Sequence, residues 1–481
     1  MTDAAFEAVI GLEIHVQLAT ATKLFCGDLT HFGAAPNTQV CPVCLGLPGA
    51  LPVPNARAVE LAVRAALALE CTVHETSIFA RKNYFYPDLP KGYQITQFEQ
   101  PLATAGGVDV VDPADGAAVR VCIRRIHMEE DAGKSVHDRF PGLTAVDLNR
   151  TGVPLVEIVT EPDLHSPAAA RAFLTRLKQT LLYVEVSDCD MEKGSLRVDA
   201  NISVRRAGEA QLGVKTELKN MNSFANVERA LEYEIARQTA LVRSGGTVVQ
   251  ESLLWDAARG AARSMRSKEE SHDYRYFPEP DLPPLAVTGT EIEAVRAALP
   301  ELPAAREARF QAEYGLPRYD AEVLSADRAT GHYFEAVAGA AGDAKAASNW
   351  VMMDVLGWLN LHGSRVQDVP VSAEALAALI RMVLDGTLSN TAGRRVFQIM
   401  AETGRPAAEL VQEHGLVQVR DDTQLDDWVR AVIDECPDEV QRFRTGELKV
   451  MGYLMGQVMK KSAGRADPKR ASELLRARLG A

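Results

Sequence analysis

The strongest constraint on the fold is a strict alternation of apolar and polar residues close to the start of the chain. Within residues 10–18 every even position is apolar, whereas Glu13 and His15 occupy odd positions. Successive side chains of a β-strand point to opposite faces, so this segment predicts a strand with one buried face and with Glu13 and His15 adjacent on the other. Residues 196–205 and 214–219 repeat the pattern. Together the three segments predict a sheet with one apolar face and one polar face.

The polar positions of the second and third segments hold residue types that are uncommon in strands. They include Asp199 and Asn201 in one segment, and Lys215, Glu217 and Lys219 in the other. The outer face of a half-exposed sheet is ordinarily polar for the sake of solvation alone, for which Thr, Lys or Arg would suffice. Glu, His, Asp and Asn, however, are depleted or indifferent in strands. The pattern therefore leaves two interpretations open, a solvated face and a functional face.

The chain changes character near residue 290. Before it, strand-like alternation and Gly, Pro and Asn punctuation dominate, and after it, Ala-rich helical patterns dominate. Thr290-Glu291-Ile292-Glu293 has the pattern of a capping box that opens a helix. A chain of 481 residues is long for one core, so we expect several domains. We predict an α+β protein, with a mixed-sheet domain at residues 1–290, an all-α domain at 291–405 and a smaller helical tail at 406–481.

Composition and charge exclude several classes of protein. A hydrophobic content of 47% is ordinary for a soluble globular protein, and no apolar run approaches the ~18 residues of a membrane span. The acidic residues 1–7 resemble neither a signal peptide nor an Arg-rich transit peptide, so we expect a cytoplasmic protein without a membrane partner. The net charge of −13 argues against nucleic-acid binding over the whole surface. From Arg442 onwards, ten basic and three acidic residues give a local balance of +7, which fits either an RNA contact or a solvated helical face.

Three of the seven cysteines, Cys26, Cys41 and Cys44, crowd into one short segment. In a cytosolic protein such a cluster indicates metal binding before disulfides, and the Cys-x-x-Cys spacing suits tetrahedral zinc. A full site needs a fourth ligand, for which Asp28 and His31 are the candidates. We predict a structural zinc here, the alternative being a relic site without metal. The isolated cysteines are predicted to be small buried apolar side chains: Cys71, Cys122, Cys189 and Cys436.

An acidic run, Glu129-Glu130-Asp131, is followed by Ala-Gly-Lys-Ser and so imitates a phosphate-binding loop. Met128 stands where that loop requires its first glycine, which argues against this interpretation. Adjacent carboxylates suit Mg²⁺, which binds through one or two carboxylates plus substrate phosphates. An acidic surface turn is the alternative. Alternation places Glu129 and Glu130 on opposite faces if a strand continues through them, so one of the two should matter far more.

Two segments, residues 80–94 and 273–281, interleave basic and aromatic residues. This pattern is typical of base stacking combined with phosphate neutralisation, but it also serves to pack loops onto a sheet. The chain carries neither a Gly/Ser-rich amidase signature nor an evident glutaminase-type Cys nucleophile. We therefore expect that it does not hydrolyse glutamine itself.

Eight segments, in this order, resemble the B-subunit family of the glutamyl/aspartyl-tRNA amidotransferases, the GatB/GatE family. The segments are VIGLEIHV at 9–16, CPVCLGLPG at 41–49, RKNYFYPD at 81–88, HMEEDAGK at 127–134, DLNRTGVPL at 147–155, RVDANISV at 197–204, ELKNMNS at 217–223 and DYRYFPEPD at 273–281. They span the whole first domain, and the rest of the chain is similar, more loosely, to the family's helical domain and YqeY-like tail. Relatives with the zinc knuckle commonly have cysteine at the place of Asp28.

The resemblance implies a subunit of an ATP-dependent carbon–nitrogen ligase. Its first domain would be a cradle for the acceptor end of mischarged Glu-tRNA(Gln) or Asp-tRNA(Asn), where ATP and Mg²⁺ activate the side-chain carboxylate. An amidase-type A subunit would supply ammonia from glutamine, a small C subunit would complete a heterotrimer, and the basic tail would contact the tRNA body. The products would be Gln-tRNA(Gln) and Asn-tRNA(Asn).

The resemblance also implies roles for individual residues on the polar strand faces. Metal binding carries over to Glu13, His15, Glu129 and Glu130, with Asp199 and Glu217 as further candidates. Lys82 is the candidate for a phosphate or tRNA contact, with Lys219 and Asn201 as weaker ones. The catalytic set expected on this basis comprises Glu13, Glu130, Lys82 and Asp199.

Two other functions compete with this interpretation. A non-catalytic tRNA-binding scaffold would need no clustered Glu, His and Asp side chains. A zinc-dependent hydrolase acting on RNA or a nucleotide would need an open zinc site with a general base beside it.

Overall fold

The computed structural model describes residues 6–265, 274–419, 421–462 and 464–480, and for residues 138 and 139 it describes the backbone alone. The chain divides into two compact units, residues 1–302 and residues 303–481. The predicted change of character near residue 290 falls just before this division.

The described residues of the first unit form sixteen short and long strands. They are β1 (Phe6–Gln17), β2 (Thr72–Val73), β3 (Thr76–Ser77), β4 (Phe79–Asn83), β5 (Tyr93–Gln97), β6 (Ala103–Val111), β7 (Ala118–Glu130), β8 (Lys134–Phe140), β9 (Leu143–Asp147), β10 (Pro154–Thr160), β11 (Leu196–Arg206), β12 (Thr216–Lys219), β13 (Ser252–Asp256), β14 (Ala261–Ser264), β15 (Phe277–Pro278) and β16 (Leu285–Ala286). Nine of them form one sheet in the order β14-β13-β12-β11-β1-β10-β7-β6-β2. Since β12 and β13 run parallel and the other neighbours antiparallel, the predicted mixed sheet is confirmed.

Helices of the same unit accompany the sheet: α1 (Ala56–Ala68), α2 (Pro167–Tyr183), α3 (Phe224–Arg243) and α4 (Gly289–Ala297). The side chain of Ser166 caps α2 by accepting a hydrogen bond from the Ala169 N–H, and Pro167 fits the first helical position, where no N–H is needed. The even residues of β1 and the apolar residues of α1, α2 and α3 share one core, in which Ile10 and Ile14 are fully buried. The helices therefore cover one face of the sheet and leave the odd residues of β1 on the other.

A second, smaller sheet in the order β15-β4-β5 joins the two aromatic segments. Phe277 pairs with Arg81, and the backbone N–H of Asn83 donates to the Tyr274 carbonyl at 2.9 Å. Asp273, which belongs to the second segment, lies outside the described residues. The remaining strands form the pairs β16-β3 and β8-β9.

The second unit is helical. Its helices are α5 (Pro303–Tyr314), α6 (Arg318–Ser325), α7 (Arg328–Ala341), α8 (Ala344–Trp350), α9 (Leu356–His362), α10 (Ala373–Leu384), α11 (Asn390–Thr403), α12 (Ala407–Glu413), α13 (Asp422–Glu435), α14 (Pro437–Arg444), α15 (Val450–Lys461) and α16 (Pro468–Leu479), with a π-helical turn at Val351–Val355 and a 3₁₀ turn at Val366–Asp368. One core runs from Phe310 to Leu416, and a separate core joins residues of α13 to α16. The boundaries at 290 and 405 stay predictions. Within the described part of the chain, no helix combines the length and the apolar character needed to cross a bilayer.

Three local predictions differ from the structure. The capping box forms earlier in the chain than expected, because Thr288 and not Thr290 caps α4 and pairs reciprocally with Glu291. The third alternating segment begins its strand at Thr216, and Val214 before it is exposed. Cys122 is exposed as well, because it shares the outward side of β7 with residues 120 and 124.

Candidate active site and cysteine cluster

The polar face of the large sheet carries a row of charged side chains across four strands. His15 on β1 lies opposite Arg197 on β11 and, on its other side, opposite Glu157 on β10. Glu157 in turn lies opposite His127 on β7. Because directly opposite residues of an antiparallel pair place their side chains on the same face, the four form one line.

At the β7 end of this row the side chains contact one another and form a cluster. His127 Nε2 lies 3.1 Å from both Glu129 Oε1 and Glu157 Oε2, and His15 Nε2 lies 3.5 Å from Glu157 Oε2. Three possible ligand atoms, one from each side chain, lie within 4.8 Å of one another: they belong to His15, Glu129 and Glu157. The remaining ring nitrogen of His127, Nδ1, is buried without a hydrogen-bond partner among the described residues. Two carboxylates and an imidazole so placed can hold a divalent cation.

The charges of the cluster are mutually dependent. Burial alone would lower the pKa of His127, but its hydrogen bonds with Glu129 and Glu157 raise that pKa to about 9. Burial likewise opposes the charged form of His15, and the contact with Glu157 raises its pKa above the ordinary value. Burial would raise the pKa of Glu157, yet the two histidines hold it well below its usual range. The carboxylates are therefore ionised, as cation ligands must be.

Lys82 approaches the same cluster from β4. Its ammonium stands 4.9 Å from the ring centroid of Tyr274 and 5.9 Å from that of Tyr84. Burial would lower the pKa of Lys82, but the negative charges of Glu129 and Glu157 raise it above the ordinary value, so the side chain is a cation. The aromatic segments thus flank the carboxylates and carry a fixed positive charge beside them.

A second group lies on the other side of β1. Glu13 accepts a hydrogen bond from Asn201 Nδ2 at 3.0 Å, and Lys219 Nζ lies 2.8 Å from a carboxylate oxygen of both Asp199 and Glu217. Burial raises the pKa of Glu13, and the neighbouring carboxylates raise it further. Among the described residues Lys219 is the one lysine in ion-pair contact with any of these three acids, which makes this group a natural place for an additional cation.

Asp131 anchors the end of β7 to β11 and β1. It is buried, and its Oδ2 accepts hydrogen bonds from Gln17 Nε2 at 2.8 Å and Arg197 at 2.9 Å, with Arg150 Nε 3.7 Å away. Burial would raise the pKa of Asp131, but the charges of Arg197 and Arg150 lower it.

Glu130 stands apart from these groups. Its side chain forms a buried ion pair with Lys91 and accepts a hydrogen bond from the Ile95 N–H at 2.9 Å. Only Glu129 of the two adjacent glutamates reaches the His15 cluster, as the alternation within a strand requires. The structure therefore does not bring Glu130 together with the other predicted metal ligands.

The cysteine cluster is compact. Sγ atoms of Cys26, Cys41 and Cys44 and an oxygen of Asp28 all lie within 4.8 Å of one another, with Cys44 Sγ 3.3 Å from Asp28 Oδ2. The contact with Cys26 lowers the pKa of Cys44 to about 6. Lys23, which is fully buried, points its ammonium at Cys44 Sγ from 3.7 Å. Three thiols and one carboxylate fit the tetrahedral preference of zinc.

Of the two candidates for a fourth ligand, the structure brings Asp28 and not His31 to the three cysteines. The predicted residues of the sheet also meet: Glu13 with Asn201, Asp199 with Glu217 through Lys219, and His15 with Glu129.

Sequence reasoning missed two residues of the main cluster, Glu157 and His127. Glu157 is the one acid in the apolar run from Pro154 to Thr160, and this isolated acid is the signal that could have identified it. His127 lies two residues before Glu129, so a strand through both would place them on one face.

Comparison with known proteins identifies the family. Residues 8–293 match the GatB/GatE catalytic domain, and residues 332–479 match the GatB domain. Three relatives share one name, that of the B subunit of aspartyl/glutamyl-tRNA(Asn/Gln) amidotransferase. The protein of Thermodesulfovibrio yellowstonii is 49% identical over 98% of this chain and 98% of its own length. That of Solidesulfovibrio magneticus is 49% identical over 99% and 100%, and that of Geotalea daltonii is 50% identical over 98% of each chain.

The catalytic-domain match covers more than half of the chain and includes both groups on the polar face as well as the cysteine cluster. Near 50% identity over almost the entire length makes the same sheet and the same face the expectation for these relatives. The chain belongs to the GatB/GatE family, the B subunits of aspartyl/glutamyl-tRNA amidotransferases.

Proposed function

We propose that this chain is the activating subunit of a tRNA-dependent amidotransferase, a ligase that converts mischarged Glu-tRNA(Gln) and Asp-tRNA(Asn) into Gln-tRNA(Gln) and Asn-tRNA(Asn). The proposal joins the shared name of the relatives to one observation, the meeting of His15, Glu129 and Glu157 on the open face of the sheet. The reaction takes place on that face, beside Lys82.

The chemistry explains why such a face is needed. A carboxylate is a poor electrophile, because ammonia cannot displace an oxide ion from it. In the first step a side-chain carboxylate oxygen bonds to the γ-phosphorus of ATP, the bond to the β,γ-bridging oxygen breaks, and ADP leaves with that electron pair. In the second step the nitrogen of ammonia bonds to the carbonyl carbon and loses a proton, and inorganic phosphate leaves with the electrons of the broken carbon–oxygen bond.

Phosphoryl transfer depends on positioning and charge neutralisation more than on covalent help from the protein. Glu129 and Glu157, with His15, are the residues that would hold Mg²⁺, and two carboxylates plus substrate phosphates is the coordination that this ion prefers. Bound there, Mg²⁺ would neutralise phosphate charge. The ammonium of Lys82 lies on the same side and would contact phosphate or the tRNA end.

The group around Glu13 would take part from the other side of β1. Glu13, Asp199 and Glu217 present more negative charge than Lys219 balances, so a second cation or the cationic part of a substrate complex would relieve their repulsion. Asn201, which holds Glu13 in place, would orient it. Lys219 is committed to Asp199 and Glu217 and is a weaker candidate for phosphate.

The cysteine cluster would hold a structural zinc. Its donor set of three thiols and the Asp28 carboxylate supports this, and the fully buried Lys23 beside Cys44 offsets the excess negative charge of such a site. The metal would hold the two ends of the loop of residues 26–44 together, because all four ligands lie within it. Such a closed site has no open position for a reaction, which disfavours the zinc-hydrolase alternative.

Ammonia would come from an amidase-type A subunit, and a small C subunit would complete a cytoplasmic heterotrimer. The shared name of the relatives designates one lettered component, which itself implies a complex of several subunits. Helices α15 and α16, which carry most of the basic residues that follow Arg442, would contact the body of the tRNA.

The experiment is ammonia-driven amidation of Glu-tRNA(Gln) with ATP, using this chain purified with its partner subunits. Free ammonia bypasses glutamine hydrolysis, so the assay isolates the activation step. We expect Glu129→Gln and Glu157→Gln to lower kcat by about 100-fold or more while tRNA binding persists, since each removes a carboxylate that would hold the Mg²⁺ that neutralises phosphate charge. The matched control is Glu161→Gln, which removes a half-buried carboxylate just beyond the end of β10 that pairs with Arg124, away from the cluster. Amidation at the wild-type rate in both cluster variants would favour the non-catalytic scaffold instead.

A further inference from the structure

Arg197 has more hydrogen-bonding capacity than the protein uses. One terminal nitrogen of its guanidinium donates to Asp131 Oδ2 at 2.9 Å. Its Nε is buried and has no partner within the described residues, and the other terminal nitrogen makes no hydrogen bond there either. A buried N–H without an acceptor costs free energy, so a partner that arrives during function is the natural explanation.

The position of Arg197 is that of a ligand-binding group. It stands directly opposite His15 on the open face of the sheet, and only strand β1 separates it from the strand of Glu157, the carboxylate that His15 contacts. Its side chain is 35% exposed, whereas the Asp131 carboxylate that holds it is 4% exposed. The buried acid thus fixes one edge of the guanidinium and leaves the rest accessible.

Asp131 does not need Arg197 for its own satisfaction. Gln17 already donates to the same carboxylate oxygen at 2.8 Å, Arg150 lies 3.7 Å away, and the Ala132 N–H donates to the other oxygen at 3.0 Å. The hydrogen bond between the two side chains therefore serves Arg197 more than Asp131, because it fixes the orientation of the guanidinium. A guanidinium presents its donors in a rigid fork that matches the oxygens of a phosphate.

We propose that Arg197 is a catalytic residue that binds the non-bridging oxygens of the transferring phosphoryl group, opposite Lys82, with Asp131 as its positioning residue. The inference rests on the proposed function and deepens it. Lys82 beside Glu129 and Arg197 beside His15 place one fixed cation on each side of the carboxylate cluster. In the transition state the negative charge is spread over the three non-bridging oxygens of the phosphoryl group, so a fixed cation on each side lowers the barrier to its transfer.

The test compares variants of Arg197 in the complete complex with ammonia, ATP and Glu-tRNA(Gln). We expect Arg197→Ala to lower kcat by about 100-fold or more, with the KM for tRNA changed by less than about threefold. Added guanidinium ion should restore at least a tenth of the lost rate, whereas methylammonium at equal concentration should not. The matched control is Arg205→Ala on the same strand, which removes an arginine whose partner, Glu7, lies at the far end of β1.

The outcomes separate this inference from the proposed function. If Arg197→Ala amidates within threefold of wild type while Glu129→Gln is inactive, the role of Arg197 is refuted and the activation site stands. If Glu129→Gln is also fully active, both proposals fail. A loss that guanidinium does not restore would also refute the role, as would a rise confined to the KM for tRNA. If Arg197→Ala does not fold, Arg197→Gln replaces it in the test, because glutamine keeps a hydrogen-bond donor for Asp131. The same loss of kcat is then expected of Arg197→Gln.

Discussion

The ion pair of Glu130 with Lys91 predicts that this glutamate supports the fold and not the reaction. Both side chains are almost completely buried, with exposed fractions of 2% and 6%. Removing one partner of a buried pair leaves an uncompensated charge and costs about 3–5 kcal/mol, which is a large part of the ~5–15 kcal/mol that stabilises a typical domain. Glu130→Gln keeps an oxygen that can accept the hydrogen bond from the Ile95 N–H, so the only group that it leaves without a partner is the charged ammonium of Lys91. We therefore expect it to destabilise the first unit by about 3 kcal/mol.

The assay is urea unfolding followed by the fluorescence of Trp255, which is buried and is the single tryptophan within residues 1–302. All variants are made in a protein in which the other three tryptophans are replaced by phenylalanine, so that only Trp255 reports: these are Trp350, Trp358 and Trp428. Lys91→Met should destabilise by a similar amount. The double variant should be less destabilised than the sum of the two by at least about 2 kcal/mol, because it leaves no charge unpaired.

Two results would refute this reasoning. Either single variant within about 1 kcal/mol of wild type would show that water or a neighbour compensates the remaining charge. Strict additivity in the double variant would show that the two groups do not interact. Activity gives an independent check, since folded Glu130→Gln should amidate within a few-fold of wild type, in contrast to Glu129→Gln.

The other predictions concern the tail and the cysteine cluster. Within the described residues Lys449, the N-cap of α15, and Lys460, in its last turn, have no ion-pair partner. Replacing both with glutamine should therefore weaken tRNA binding and lower its salt dependence by about two units of slope, measured by titration at several salt concentrations. Arg470→Gln, whose guanidinium is already bridged to an acid, should change the slope by much less. Elemental analysis should find about one zinc per chain in the wild type and in Cys122→Ser, but little in Cys41→Ser. Zinc retained in Cys41→Ser would contradict the four-ligand site.

The polar face of the sheet could be predicted from the sequence because its cause is local. The side-chain period of a strand is two residues, so Glu13 and His15 had to share a face once their neighbours were buried. The same reasoning placed Asp199 beside Asn201. The separation of the segments along the sequence did not matter, because the alternation within each strand shows which of its sides is polar and a sheet has only two faces.

The main cluster could be predicted only in part, because the meeting of its expected members, His15 and Glu129, with Glu157 depends on register between distant strands. Glu157 reaches His15 only through the pairing of β10 with β1, to which no local pattern points. Glu130 was expected to bind metal, yet Lys91, 39 residues away in sequence, occupies its carboxylate. Arg197 was not predicted as a site residue either, because its unused donors become visible only beside Asp131.

The central place of β1 has a consequence for how this family can vary in length. The strand is paired along both edges, with β11 and with β10, and every second residue of it belongs to the core. A substitution in β1 alters one position, but a single inserted or deleted residue would turn Glu13 and His15 into the core and expose their apolar neighbours. Length changes in functional relatives should therefore fall in the loops around the sheet and leave Phe6–Gln17 intact.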